Sequence, residues 1–300
     1  MYNDWFMNFA PKAFRTTRVQ TTDEVEATLK ATANLTGIRP DLLREHPEIL
    51  RTLRMCTCPP LAADRLIGLT GVSKNLVRLM ERAGKLPARM DRAESDADLG
   101  KIAAILEKMA DPDIFVWLAR RKRATTVETR RAATIVADRL CGAVANPIIR
   151  NAQEKRQLAA IAMWLEGRGY CQVSSGQGTR FDRMAPGTFC FRMNAPARLE
   201  DADHQINIPV DAVVMPKSPR KGDLPLLLEA KSAGDFTNVN KRRKEEATKM
   251  AQLRRAYGDQ VPYSLFLCGY FDSGYLGYEA AEGIDWVWEH RIDDLAAFGL

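Results

Sequence analysis

Three polar residues stand where two apolar runs end: Asp211, Glu229 and Lys231. In Gln205-Ile-Asn-Ile-Pro-Val-Asp211, the residues Ile206, Ile208 and Val210 alternate and share one face of an extended segment, which sends Asp211 to the other. A loop rich in Pro, Lys and Gly (216–223) leads to Leu224-Pro-Leu-Leu-Leu-Glu229-Ala-Lys231. A period of two puts Leu227, Glu229 and Lys231 on one side and Leu226, Leu228 and Ala230 on the other. Charges at the end of a core strand carry a burial cost and call for a reason. Phosphodiester hydrolysis supplies one. Magnesium takes oxygen ligands, one or two carboxylates completed by phosphate oxygens. Asp211 and Glu229 would hold it, with the backbone carbonyl of Ala230 as third ligand, and manganese could substitute. The ion would polarise the phosphate and acidify a water. Lys231 would orient that water and stabilise charge on the pentacoordinate phosphate. The plainer alternative is a surface salt pair at a strand edge, with Asp211 a turn residue.

The elements that must position these residues follow a regular order. A helix is expected from about 147 to 167, stopped by Gly167-Arg168-Gly169. Strands are expected over 170–174, 188–194, 205–215 and 224–231. A long helix over 238–257 comes next, then strands over 263–270 and 286–290 and a closing helix from Asp293. That order predicts an α/β domain with a central mixed sheet flanked by helices. Residues 22–145 read instead as helices, with apolar positions three and four apart in Leu42, Leu43, Ile49, Leu50 and Leu53, and in Ile102, Ile105, Leu106 and Met109. The change of pattern at Asn146-Pro147 divides the chain into a helical domain, 1–145, and a second domain, 146–300.

Two basic segments could meet a polyanion. The helix after Lys231 carries Lys241, Arg242, Arg243, Lys244, Lys249, Arg254 and Arg255, a density suited to phosphate contacts, although such runs are usually solvated faces. The loop before it, 232–238, is small and polar enough to approach a groove. Near the N-terminus, residues 61–82 resemble a helix-turn-helix: Gly71 makes the turn and Ser73 caps a second helix presenting Ser73, Lys74, Asn75 and Arg78. An ordinary αα-hairpin fits the same pattern. The block Arg120-Arg-Lys-Arg123 reads as a solvated helix end that could also track a backbone.

An Asp on one strand followed by Glu-x-Lys at the end of the next resembles the PD-(D/E)XK nuclease superfamily, with Pro209-Val210-Asp211 echoing its Pro-Asp element across one intervening residue. Within it the chain looks most like type II restriction endonucleases of the XamI-like group. The resemblance covers roughly 146–270 and extends more loosely to the N-terminal helices. It implies a restriction endonuclease-like fold, magnesium-dependent cleavage of double-stranded DNA at a short specific sequence, and 5′-phosphate products. It also makes Glu154, on the helix before the strands, a candidate for the metal site, against a solvated helical face shared with Lys155 and Arg156. A single Asp-Glu-Lys centre cuts one strand, so a palindromic site predicts a homodimer. Tyr275, Tyr278, Trp286 and Trp288 would either serve its interface or finish the core.

Composition agrees. Hydrophobic residues make up 46% and charged residues 27%, enough for a full core, and the net charge of +6 favours polyanionic partners. No apolar stretch long enough to span a bilayer is expected, and the N-terminus lacks the order of a secretory signal. The six scattered cysteines fit reduced thiols in a cytoplasm, and Cys56-Thr57-Cys58 lacks a second pair at zinc-ligand spacing. Two other classes remain: a repair or junction-resolving nuclease of the same fold, and a non-catalytic helix-turn-helix regulator. A regulator has no use for Asp211, Glu229 and Lys231 at strand ends.

Overall fold

Leu226, Leu227 and Leu228 are buried without a break, as a strand covered on both faces must be. The computed structural model describes residues 2–120, 123–175, 180–198, 205–234 and 239–300, the side chains of 198, 205 and 239–243 excepted. Its contacts divide the chain into two compact units, Ala10–Ile148 and a second made of Met1–Phe9 with Ile149–Leu300.

The helices in chain order are α1 (Tyr2–Ala31), α2 (Pro40–Glu45), α3 (Leu50–Met55), α4 (Ala63–Thr70), α5 (Lys74–Ala83), α6 (Arg92–Lys108), α7 (Val116–Arg120) and α8 (Thr126–Glu166). The core of the helical unit is built from their apolar stripes, among them Leu29, Leu43, Leu53, Leu76, Ile102 and Leu140. The indole of Trp117, itself buried, donates to the Asn34 carbonyl at 2.9 Å.

The other unit holds one six-stranded sheet. Its strands are β1 (Cys171–Gln172), β2 (Thr188–Arg198), β3 (Gln205–Val214), β4 (Leu226–Ala233), β5 (Tyr263–Gly269) and β6 (Asp285–Trp288), adjacent in that order. Strands β2, β3 and β4 form an antiparallel meander, and the remaining pairs are parallel. Parallel neighbours need crossovers, which α9 (Val239–Tyr257) supplies between β4 and β5 and α10 (Ser273–Ala281) between β5 and β6. Met250 and Leu253 of α9 pack with Leu227, Leu265 and Leu267 on one face of the sheet. Leu158, Ile161 and Leu165 of α8 cover Leu226, Leu228 and Phe266 on the other. A helical N-terminal part followed by a mixed sheet with flanking helices is therefore the architecture the sequence pattern predicts.

Several local expectations are corrected. The first helix begins at Tyr2, well before residue 22, and runs through Pro11. Likewise α8 does not start at Pro147 but runs straight through it. A proline inside a helix removes one hydrogen bond, a loss that packed flanking turns can carry; here Cys141 and Ala145 before it and Leu158 and Ile161 after it are all buried. The same α8 is long and apolar enough to cross a membrane by length and composition, contrary to the expectation that no such stretch exists, yet it lines the protein cores just described. The first strand shrinks to two residues, and the closing helix, a 3₁₀ segment, starts earlier than expected and spans Glu289–Phe298. Arg156 is not on a solvated face: its guanidinium pairs with the buried Glu289, with Nη2 2.6 Å from Oε2. His204, Arg121, Lys122 and residues 235–238 lie outside the described residues, as do the side chains of Lys241, Arg242 and Arg243.

Candidate active site

The alternation of β3 fails at one place. Ile208 and Val210 belong to the same cluster as Val213 and Met215, whereas Ala212 and Val214 belong to the opposite one. Strand β2 breaks at the same level: Phe191 pairs with Ala212 and Met193 with Val210, and between them Arg192 sits at φ +54°. Asp211 is the residue at this break. On its other side the β3–β4 ladder ends with Ala212 opposite Leu228, so one further step sets Asp211 against Glu229. There the Ala230 N–H donates to Asp211 Oδ2 at 2.9 Å, the carboxylate taking the bond that a strand carbonyl would otherwise accept.

Glu229 is only 5% exposed. Its Oε1 accepts from Lys231 Nζ at 3.0 Å and from Lys249 Nζ at 2.6 Å, and Lys249 also reaches the Pro209 carbonyl at 3.2 Å. Its Oε2 is buried without a hydrogen-bond partner. Burial, and then repulsion from Glu229, push the Asp211 carboxyl up to about 6. Burial works against the charge of Lys231, but Glu229 and Glu246 outweigh it and raise its pKa, so the ammonium stays charged. Two carboxylates that repel each other, one with an orphaned buried oxygen, suit a divalent cation that neutralises both. Among the described residues no three His, Cys, Asp or Glu side chains gather as a complete metal cluster. The donor set here is two carboxylates and the carbonyl of Ala230, the hard-oxygen kind that leaves positions for phosphate and water.

Residues 33–288 match the XamI restriction endonuclease family. The chain belongs to that family. It is also 54% identical over 299 residues to the type II restriction enzyme SalI of Streptomyces albus G, covering 100% of this chain and 94% of that enzyme. A looser likeness, at 9% identity and a TM-score of 0.30, links 85% of the chain to 55% of protein VC1899 from Vibrio cholerae. This XamI-family protein is thus a type II site-specific deoxyribonuclease, and its substrate is DNA.

In this restriction endonuclease the fold brings together Asp211, Glu229, Ala230 and Lys231, all expected from sequence. Glu154 is elsewhere engaged: its Oε1 accepts from Arg192 at 2.8 Å, and among the described residues no hydrogen bond or ion pair joins it to Asp211 or Glu229. Lys249 faces Glu229 and is not part of a purely solvated basic face. Four further residues escaped the sequence reading. Glu246 of α9 and Tyr263 of β5 reach Lys231's neighbourhood, and Glu279 of α10 lies close to both, its carboxyl pushed up to about 7 chiefly by burial. Gln157 of α8, 1% exposed, donates to the carbonyls of Lys231 at 3.1 Å and Phe266 at 3.3 Å, tying β4 to β5. The only signal for Glu246 and Lys249 was their i, i+3 spacing on one face of a helix.

The N-terminal two-helix segment forms as its sequence predicts. α4 ends at Gly71, which takes φ +70°, and Ser73 Oγ accepts the Leu76 N–H at 3.1 Å to start α5. Ser73, Lys74, Asn75 and Arg78 are exposed while Leu76, Val77 and Met80 are buried. Lys74 Nζ stands 4.0 Å from Asp64. Arg54, almost buried, pins this pair of helices through Glu81, with Nη2 2.9 Å from Oε2, and through the Leu61 carbonyl.

Proposed function

We propose that the protein cleaves double-stranded DNA as a magnesium-dependent PD-(D/E)XK endonuclease, with Asp211, Glu229 and Lys231 as its centre. The observation that carries this reading is Glu229 itself: a buried carboxylate set against Asp211, with one oxygen on Lys231 and the other unpartnered. Asp211, Glu229 and the Ala230 carbonyl would hold magnesium, or manganese in its place. Such an ion supplies Lewis-acid polarisation of the scissile phosphodiester and acidifies a water, which leaves a 5′-phosphate. Lys231 brings a fixed positive charge to the phosphate as its negative charge builds. Glu154, paired with Arg192, would take a supporting role through that pair.

Base recognition is assigned to the exposed face of α5, where Ser73, Lys74, Asn75 and Arg78 stand clear of the core and have donors suited to base edges and phosphates. Lys241, Arg242 and Arg243 at the start of α9 would contact backbone phosphate. Two copies acting together would place one centre on each strand of a palindrome. Of the C-terminal aromatics, Tyr275 is buried and the half-buried Trp286 and Trp288 pack on the sheet's core, which supports the reading that they finish the core, while Tyr278 is half-buried. All six cysteines are free, which suits a cytoplasmic protein.

The test is digestion of a mixed plasmid in magnesium, read for discrete bands, alongside Asp211→Ala, Glu229→Ala and Lys231→Ala. Each variant should lose cleavage and keep DNA binding. Full activity in any of them removes that residue from the centre. A random smear from the wild type would remove the assignment of base recognition.

A further inference from the structure

Lys231 has two anionic neighbours, and the second is not accounted for by cleavage chemistry. Its Nζ lies 3.0 Å from Glu229 Oε1 and 2.7 Å from Glu246 Oε1. Glu246 is the more deeply buried of the two, at 0% exposure. Its other oxygen, Oε2, accepts the hydroxyl proton of Tyr263, which is also buried. Packing of α9 on the sheet does not call for a carboxylate at this position, since Met250 and Leu253 provide the apolar contact. A buried glutamate is costly unless it is paired and hydrogen-bonded, and this one is both.

The two carboxylates differ in a way that separates their tasks. Glu229 keeps Oε2 without a hydrogen bond or an ion pair, whereas Glu246 is engaged at both oxygens, Oε1 through its ion pair with Lys231, without a hydrogen bond there, and Oε2 through the Tyr263 hydroxyl. The first is arranged to accept something from outside, and the second is already engaged by the protein. We infer that Glu246 is a positioning residue, held by Tyr263, that fixes the Lys231 ammonium at the cleavage centre without itself touching metal or DNA. This rests on Lys231 being the catalytic lysine. A lysine ends a flexible stem and has no preferred direction of its own. If Glu229 were its only anchor, the ammonium would lose that anchor whenever Glu229 turned to a cation. Glu246 provides an anchor on a different element, α9, that is independent of Asp211 and Glu229. Preorganised charge of this kind acts at the moment of reaction, so it is felt in the rate and not in DNA affinity.

Three substitutions test the clamp. Glu246→Gln keeps the shape and removes the charge, Glu246→Asp keeps the charge on a shorter arm, and Tyr263→Phe leaves Glu246 charged but frees one oxygen. On a plasmid that the wild type cuts, Glu246→Gln should lower kcat about 10- to 100-fold while KM stays within about twofold. Tyr263→Phe should lower kcat by roughly 3- to 10-fold, and Glu246→Asp should recover part of the loss seen with Gln. Nitrogen-15 spectra of lysine ammonium groups give a second readout. One protected resonance should be missing in Lys231→Met and displaced in both Glu246→Gln and Tyr263→Phe.

Wild-type kcat and an unmoved resonance in Glu246→Gln and Tyr263→Phe would overturn the inference. So would a loss of manganese affinity in Glu246→Gln as large as that in Glu229→Gln, because Glu246 would then be a metal ligand. Should Glu246→Gln fail to fold, Tyr263→Phe decides by the same two readouts. An active Lys231→Met would instead refute the catalytic assignment of Lys231, while the ammonium resonance would still report whether Glu246 holds it.

Discussion

Asp211→Asn and Glu229→Gln should abolish cleavage equally and change stability in opposite directions. Both substitutions keep size and shape, and the opposite signs follow from the environments of the two carboxylates. In the metal-free protein the Asp211 carboxyl is raised from its ordinary 3.8 to about 6 by burial and by Glu229. A carboxylate whose folded pKa is raised gives its full stability below the unfolded pKa and loses it as pH rises through the folded one. At pH 8 the ionised Asp211 therefore costs up to about 3 kcal/mol, and roughly 1–3 kcal/mol once water near the site is allowed for. An asparagine oxygen still accepts the Ala230 N–H and carries no charge, so Asp211→Asn should recover that amount at pH 8 and almost none at pH 4. Glu229→Gln acts instead through lost ion pairs, because the Glu229 charge balances Lys231 and Lys249. Breaking a buried pair costs about 3–5 kcal/mol, less here because both lysines are partly exposed, so about 2–4 kcal/mol is expected. Thermal unfolding in excess EDTA should read these as a Tm about 2–8 °C higher for Asp211→Asn and about 4–10 °C lower for Glu229→Gln at pH 8. A lower Tm for Asp211→Asn at pH 8, or a gain that persists at pH 4, would refute the account of the site.

Three further outcomes are expected. Glu279 is raised from 4.5 to about 7, so its contribution to stability fades as pH rises through 7; Glu279→Gln should remove about 1–2 kcal/mol of that decline after allowance for solvent, read as a flatter Tm profile between pH 5 and 8. Magnesium or manganese should support cleavage and raise the Tm of the wild type but not of Glu229→Gln, and excess EDTA should stop cleavage; robust cutting in EDTA would rule out the oxygen-ligand centre. Lys74→Ala with Arg78→Ala should weaken binding to a duplex spanning the mapped cut site by about 1–3 kcal/mol in gel-shift titration, and unchanged binding would return α5 to an ordinary hairpin.

The sequence alone singled out Asp211, Glu229 and Lys231 as the proposed centre, because its signals are local. Alternation in 205–211, the leucine run before Glu229 and the Glu-x-Lys spacing all lie within one or two strands, and the period of two sets which side chains emerge together. Gly71 and Ser73 likewise marked a turn and a cap through their own backbone preferences. Only the tertiary structure decided what surrounds that centre. Glu246 and Lys249 reach it because the α9 crossover must pack back on the sheet to make β5 parallel to β4, and Gln157 reaches it from α8 across the opposite face. Local pattern shows alternation giving way at Asp211 to the unbroken run Ala212-Val213-Val214-Met215, but only the fold shows that the interruption is shared with Arg192 on the neighbouring strand. Pro147 misled for the same reason: proline weighs against a helix locally, but the packing of the turns on either side of it outweighs one lost hydrogen bond. Side chains brought together by packing leave no fixed spacing in the chain, and so the contacts of Glu246 with Lys231 and Tyr263 could be found only in the fold.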